Sequence, residues 1–144
     1  MQIKLTKGNV EAMISFLEDI SLSGGKVNRA RFRFIKLLNN KLTEINEDRL
    51  EIAKGYANLD KNGTAKIKED GTLDIEKSKI PSFSLAQNEM YQENALITVD
   101  DYVEQLQLLF NALINYENEL QGNNLIAYGV LLDAFEDAGF TEGK

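Results

Sequence analysis

Asn28–Asn58 reads NRARFRFIKLLNNKLTEINEDRLEIAKGYAN. It contains no proline, and no glycine before Gly55, so nothing interrupts a helix that would span roughly 45 Å at 1.5 Å per residue. Ile35, Leu38, Leu42, Ile45, Arg49, Ile52 and Tyr56 alternate by three and four and lay one seam along it. Such a stripe must be buried, either inside the same domain or against a second chain. The intramolecular reading is preferred, because the pattern barely reaches the three or four heptads of a coiled coil and Arg49 interrupts it. Arg49 then needs a carboxylate, and Glu104 is the expected partner if a later helix packs antiparallel.

N-terminal to this stretch, Ile3 and Leu5 lead to Asn9, an expected N-cap. Val10, Met13, Ile14, Leu17 and Ile20 predict a first helix that ends at Ser23-Gly24-Gly25. On the C-terminal side, Lys66-Ile67-Lys68 and Leu73-Asp74-Ile75 flank Asp70-Gly71, which predicts a β-hairpin with a type I′ turn, inserted at about 64–76. Asp60, Asn62 and Thr64 also resemble the start of a calcium-binding EF-hand loop. Ala65 stands where the sixth-position glycine is required and Gly71 where the bidentate glutamate is required, so calcium is not expected.

Beyond Pro81, Ser84–Asn94 predicts a short helix. Thr98 followed by Asp100 and Asp101 resembles a capping sequence for a strong helix running to about Leu120. Tyr102, Val103, Leu106, Leu109, Phe110, Leu113, Ile114 and Leu120 form its apolar face, and Gln121-Gly122-Asn123-Asn124 stops it. A last helix, Leu125–Ala138, turns Tyr128, Leu131, Leu132 and Phe135 inward. The expected fold is mainly α (α+β): one domain over residues 1–144, a helical bundle of four principal helices with one long helix and an inserted small β-hairpin.

Composition removes several chemistries. The 144 residues are 43% hydrophobic and 27% charged with one proline, as in a globular domain. The start lacks the apolar core of a signal peptide, and no run of about 18 apolar residues occurs, so a soluble, intracellular protein with no membrane association is expected. There is no cysteine and no histidine. Thiol catalysis, cysteine- or histidine-ligated zinc, Ser-His-Asp triads and Glu-x-x-His di-iron sites cannot be built. Carboxylates with magnesium, or a Ser/Lys or Tyr arrangement, remain open chemically; the expectation is no enzyme, no metal and no cofactor.

Charge is distributed unevenly. Ile80–Gly143 holds eleven carboxylates and no lysine or arginine, whereas Met1–Gly55 holds ten cations against seven acids; the whole chain carries −7. Ordinary surface helices interleave lysine for i,i+4 pairing, and here none is available, so the acids point to an interaction surface. Aromatics at helical spacing, by contrast, read as core. Lys26, Arg29, Arg31, Arg33 and Lys36 interleave with Phe32 and Phe34, a pattern suited to phosphate contact and base stacking. The net negative charge opposes a polyanion, so direct nucleic-acid binding is not expected.

The text RARFRFIKLLNNKLTEINEDRLEIAKGYANLDKNG, the Asp-Gly hairpin and the terminal YGVLLDAFEDAGF resemble a small uncharacterised family encoded by phages and prophages of low-GC Gram-positive bacteria. The resemblance carries no activity or catalytic residues to transfer. It implies a phage context, in which small acidic proteins commonly act by binding other proteins. The expected function is therefore non-enzymatic protein binding in the cytoplasm of an infected cell. The acids Glu104, Glu117, Glu119, Asp133, Glu136 and Asp137 would occupy the basic, nucleic-acid-binding groove of a host or anti-phage defence protein and so inhibit it. The alternative is a virion or assembly component that forms a homodimer or larger assembly through the long helix.

Overall fold

A computed structural model describes residues 1–143. Its longest element is the helix read from the sequence, α2 (Gly25–Tyr56), which follows β1 (Gln2–Thr6) and α1 (Lys7–Asp19) and precedes α3 (Ile80–Gln92), β2 (Asn94–Thr98), α4 (Val103–Ile114) and α5 (Asn123–Asp137). The fold is mainly α, as the apolar periodicity requires, and it carries a small antiparallel sheet of β1 and β2.

α2 organises the rest. Gly24 adopts φ +96°, and the Asn28 side chain donates to the carbonyls of Leu22 (2.7 Å) and Gly24 (2.9 Å), closing the turn from which the helix starts. Ala30, Phe34, Leu38, Ile45 and Ala53 are its buried residues, and Ile35, Leu42 and Ile52 pack half-buried on the same core. The seam is thus covered within the chain, by α1, α3 and α4. α1 lies between α2 and α5 and contributes Val10, Met13, Ile14, Phe16 and Leu17. Four rings join the far side: Phe135 of α5 has its centroid 5.4 Å from Phe34, 5.7 Å from Phe110 of α4 and 5.0 Å from Phe140.

Several expected boundaries move, each for a local reason. β1 runs directly into α1, with the Lys7 amide bonded to the Glu93 carbonyl at 2.8 Å, so the helix begins at Lys7 rather than after Asn9. β1 pairs with β2 from Gln2↔Thr98 to Thr6↔Asn94, and Ile3, Leu5, Ala95 and Ile97 turn into the core. Thr98 is therefore a strand residue and does not cap α4; a 3₁₀ turn at Asp100–Tyr102 intervenes. α4 stops at Ile114, not Leu120, because the Asn115 side chain donates to the Asn111 carbonyl (2.8 Å) and Tyr116 folds back on Tyr128.

The hairpin region departs most from expectation. It comprises two consecutive hairpins, bridged at Leu59↔Ala65 and Ile67↔Leu73. Asp60 N–H donates to the Thr64 carbonyl and Gly63 N–H to Asp60; eight residues on, Lys68 N–H donates to Thr72 and Gly71 N–H to Lys68. Asn58, Lys66 and Asp74, again eight apart, close a ring of backbone bonds: Lys66 N–H to Asn58 O (2.8 Å), Asp74 N–H to Lys66 O (2.9 Å), Asn58 N–H to Asp74 O (2.8 Å). The repeat is visible in the text as NLDKNGTA followed by KIKEDGTL. The type I′ expectation is corrected: among the described residues none other than glycine has positive φ, so Asp70 does not adopt it, and each loop is a three-residue turn ending on glycine, Gly63 at φ +78° and Gly71 at φ +86°. Open space surrounds the Cβ position at Gly71, so Gly71→Ala meets only backbone strain. We expect a loss of about 1–2 kcal/mol, read by urea denaturation together with displaced amide resonances over residues 66–74.

Candidate functional site

Antiparallel packing of α4 and α5 fixes where the acidic residues lie. Gln107 donates to the Thr141 carbonyl at 2.8 Å, Phe110 meets Phe135 and Phe140, and the Tyr128 hydroxyl donates to the Leu113 carbonyl at 2.6 Å. Glu104, in the first turn of α4, therefore shares one end of the pair with Glu136 and Asp137 in the last turn of α5. Asp133 lies one turn back on the same face of α5 by its spacing of three and four. Glu117 and Glu119 fall in the α4–α5 connection at the opposite end, ~18 Å away along a twelve-residue helix. The six acids thus form two groups, not one surface, because α4 ends before reaching the second.

All six are exposed, and among the described residues none forms an ion pair. Glu119 accepts a hydrogen bond from the Gln121 side chain at 3.0 Å. Glu136 and Asp137 occupy the last turn of α5, which has no basic residue, although the negative end of a helix disfavours carboxylates by about 0.3–1 kcal/mol each. Asp101 extends the Glu104 end, while Asp100 there is held by the Met1 amino group.

Several of the cations are engaged elsewhere. Lys7 bridges Asp48 (3.0 Å) and Glu93 (2.7 Å), whose hydrogen bonds hold its pKa above the ordinary lysine value. Arg49 does not reach Glu104. Arg33 stacks 5.1 Å over Tyr102 beside the α4 N-terminus, which leaves Arg49 more than four helical turns further along α2. Its partners are Glu11 of α1 (3.4 Å), the Tyr91 hydroxyl (2.7 Å) and Asn46 (2.6 Å). The basic and aromatic run is likewise divided: Phe34 is in the core, and Arg31 binds the carbonyls of Leu17 and Ile20 at the end of α1 and the Asn28 side chain. Lys26, Arg29, Phe32 and Lys36 remain exposed.

Sequence reasoning missed one surface. An apolar groove of about 590 Å³ lies between the outer face of α2 and the double hairpin, with Leu50 and Ile67 on its walls. Leu50 is the only signal for it, a leucine off the buried seam between Glu47 and Glu51. Among the described residues, no group of three or more acidic side chains is arranged to hold a metal ion, and no helix is long and apolar enough to cross a membrane.

A family model described as a protein of unknown function, DUF1617, matches residues 1–142. The chain belongs to the DUF1617 family. The match spans both hairpins and the α4–α5 pair, so the acidic groups and the groove all lie within the family's domain. No curated protein and no solved structure matches this DUF1617 chain.

Proposed function

We propose that this DUF1617 protein is a non-enzymatic, phage-encoded binding factor, acting in the cytoplasm of the infected cell as an inhibitor of a host or anti-phage defence protein. Its anionic groups would sit in a basic groove that otherwise holds nucleic acid. The supporting observation is the exposure of Glu104, Glu117, Glu119, Asp133, Glu136 and Asp137 with no ion pair among the described residues, while the chain's cations lie on other elements. The acids at the end of α5 add weight, since they oppose the helix dipole and yet are left uncompensated. Duplex DNA carries about ten phosphates over the ~18 Å that separates the two groups, more charges than the protein offers. The expected mimicry is thus of a short backbone stretch contacting a handful of Lys/Arg.

The test is affinity capture from host lysate with the immobilised protein. We expect a nucleic-acid-binding protein with a basic surface, released as NaCl rises towards about 0.5 M and displaced by heparin or a duplex oligonucleotide. Capture indifferent to both salt and polyanions would overturn the proposal.

A further inference from the structure

The outer face of α2 is self-complementary about a point between residues 41 and 42. Phe32 and Leu50, 63% and 65% exposed, lie on either side of that point to within one residue of exact symmetry. So do exposed Lys36 and Glu47, and exposed Asn40 and Thr43. All six recur at spacings of three and four, so they form one stripe on the side of the helix away from the seam. An antiparallel copy of the same helix would place Phe32 against Leu50, Lys36 against Glu47 and Asn40 against Thr43, each contact made twice, as an isologous two-fold requires. Leu50 also borders the groove whose other wall carries Ile67, 66% exposed, and Glu47 and Glu51 line it. Phe32 sits among Arg29, Arg33 and Lys36, so an aromatic side chain flanked by cations faces an apolar groove bordered by Glu47 and Glu51, with Lys54 beside them. Arg29 and Lys54 are the one like-charged pair the symmetry brings together, and they fall at the outer ends of the stripe, where solvent screens them.

We propose that a second copy of this chain covers this face, the two α2 helices antiparallel and Phe32 of each protomer set between Leu50 and Ile67 of the other. This uses the side of the helix opposite the heptad seam and is independent of the acidic groups on α4 and α5. The two-fold would present those groups twice on one particle.

Sedimentation equilibrium on the full chain tests it. The wild type should be dimeric at about 10 µM, and Phe32→Asp and Leu50→Asp should each weaken association at least 30-fold with an unchanged helical circular-dichroism spectrum. Lys36→Glu should weaken it about 10-fold, and the exchange K36E/E47K should restore it to within about threefold of wild type. A wild type that stays monomeric at about 100 µM overturns the proposal, including when the groove is found occupied by a different protein. Dimerisation that survives both aspartate variants, or an exchange that fails to restore it, overturns it equally.

Discussion

Phe135→Ala is expected to remove about 3–5 kcal/mol of unfolding free energy, a large share of the roughly 5–15 kcal/mol typical of such a domain. Phe135 is fully buried, and its ring touches Phe34, Phe110 and Phe140, so it joins α2, α4, α5 and the segment after α5 at one point. Those three neighbours come from separate elements and cannot all close over the missing ring, so a cavity persists. For a chain of this size the midpoint of thermal unfolding should fall by roughly 6–20 °C. Urea denaturation gives the free energy directly; a loss below about 1 kcal/mol would mean that Phe135 does not join Phe34, Phe110 and Phe140 as described.

The second large effect concerns binding. Replacing Asp133, Glu136 and Asp137 together with lysine turns attraction to a basic groove into repulsion, about 1 kcal/mol per site and near 3 kcal/mol in sum, which corresponds to a loss of 100-fold or more. The same changes place cations at the C-terminal end of α5, where the helix dipole favours them, so α5 should be unchanged or slightly more stable. Binding and folding would then move in opposite directions, which separates loss of contact from damage to the fold. Reversing Glu117 and Glu119 alone probes the other end of the α4–α5 pair. Titration of the captured partner with each variant, with circular dichroism alongside, checks both; affinity unaltered by either set removes the acidic surface from the function.

Much of this architecture was readable from residue spacing, but unevenly. α2 announced itself through Leu38, Ile45 and their half-buried neighbours, because three- and four-residue periodicity survives over 32 residues. The sheet did not. β1 and β2 are five residues each with only two buried side chains apiece, too few for alternation to distinguish a strand from a loop, and their pairing joins distant parts of the chain. The eight-residue repeat is present in Asn62-Gly63-Thr64 and Asp70-Gly71-Thr72, but each unit is too short for its alternation to mark a separate strand pair. The exposure of the acids was legible because no lysine accompanies them. Their division into two groups was not, since it depends on the Asn115 side chain ending α4 early. Arg49 shows a related limit: heptad register demands a carboxylate for it but does not choose between Glu11 and Glu104, and only the packing of α1 on α2 decides.

Pairing of Gln2–Thr6 with Asn94–Thr98 also has a temporal side. A ribosome adds about 5–20 residues per second, so the first strand leaves it roughly 5–20 s before its partner exists. Throughout that interval Ile3 and Leu5 have no sheet to join, and α1 and α2 emerge without the strand that follows α3. The nascent chain must therefore keep its opening segment soluble by itself, and a translational pause placed just before residue 94 would lengthen the period in which that segment is open to chaperones or to mispairing.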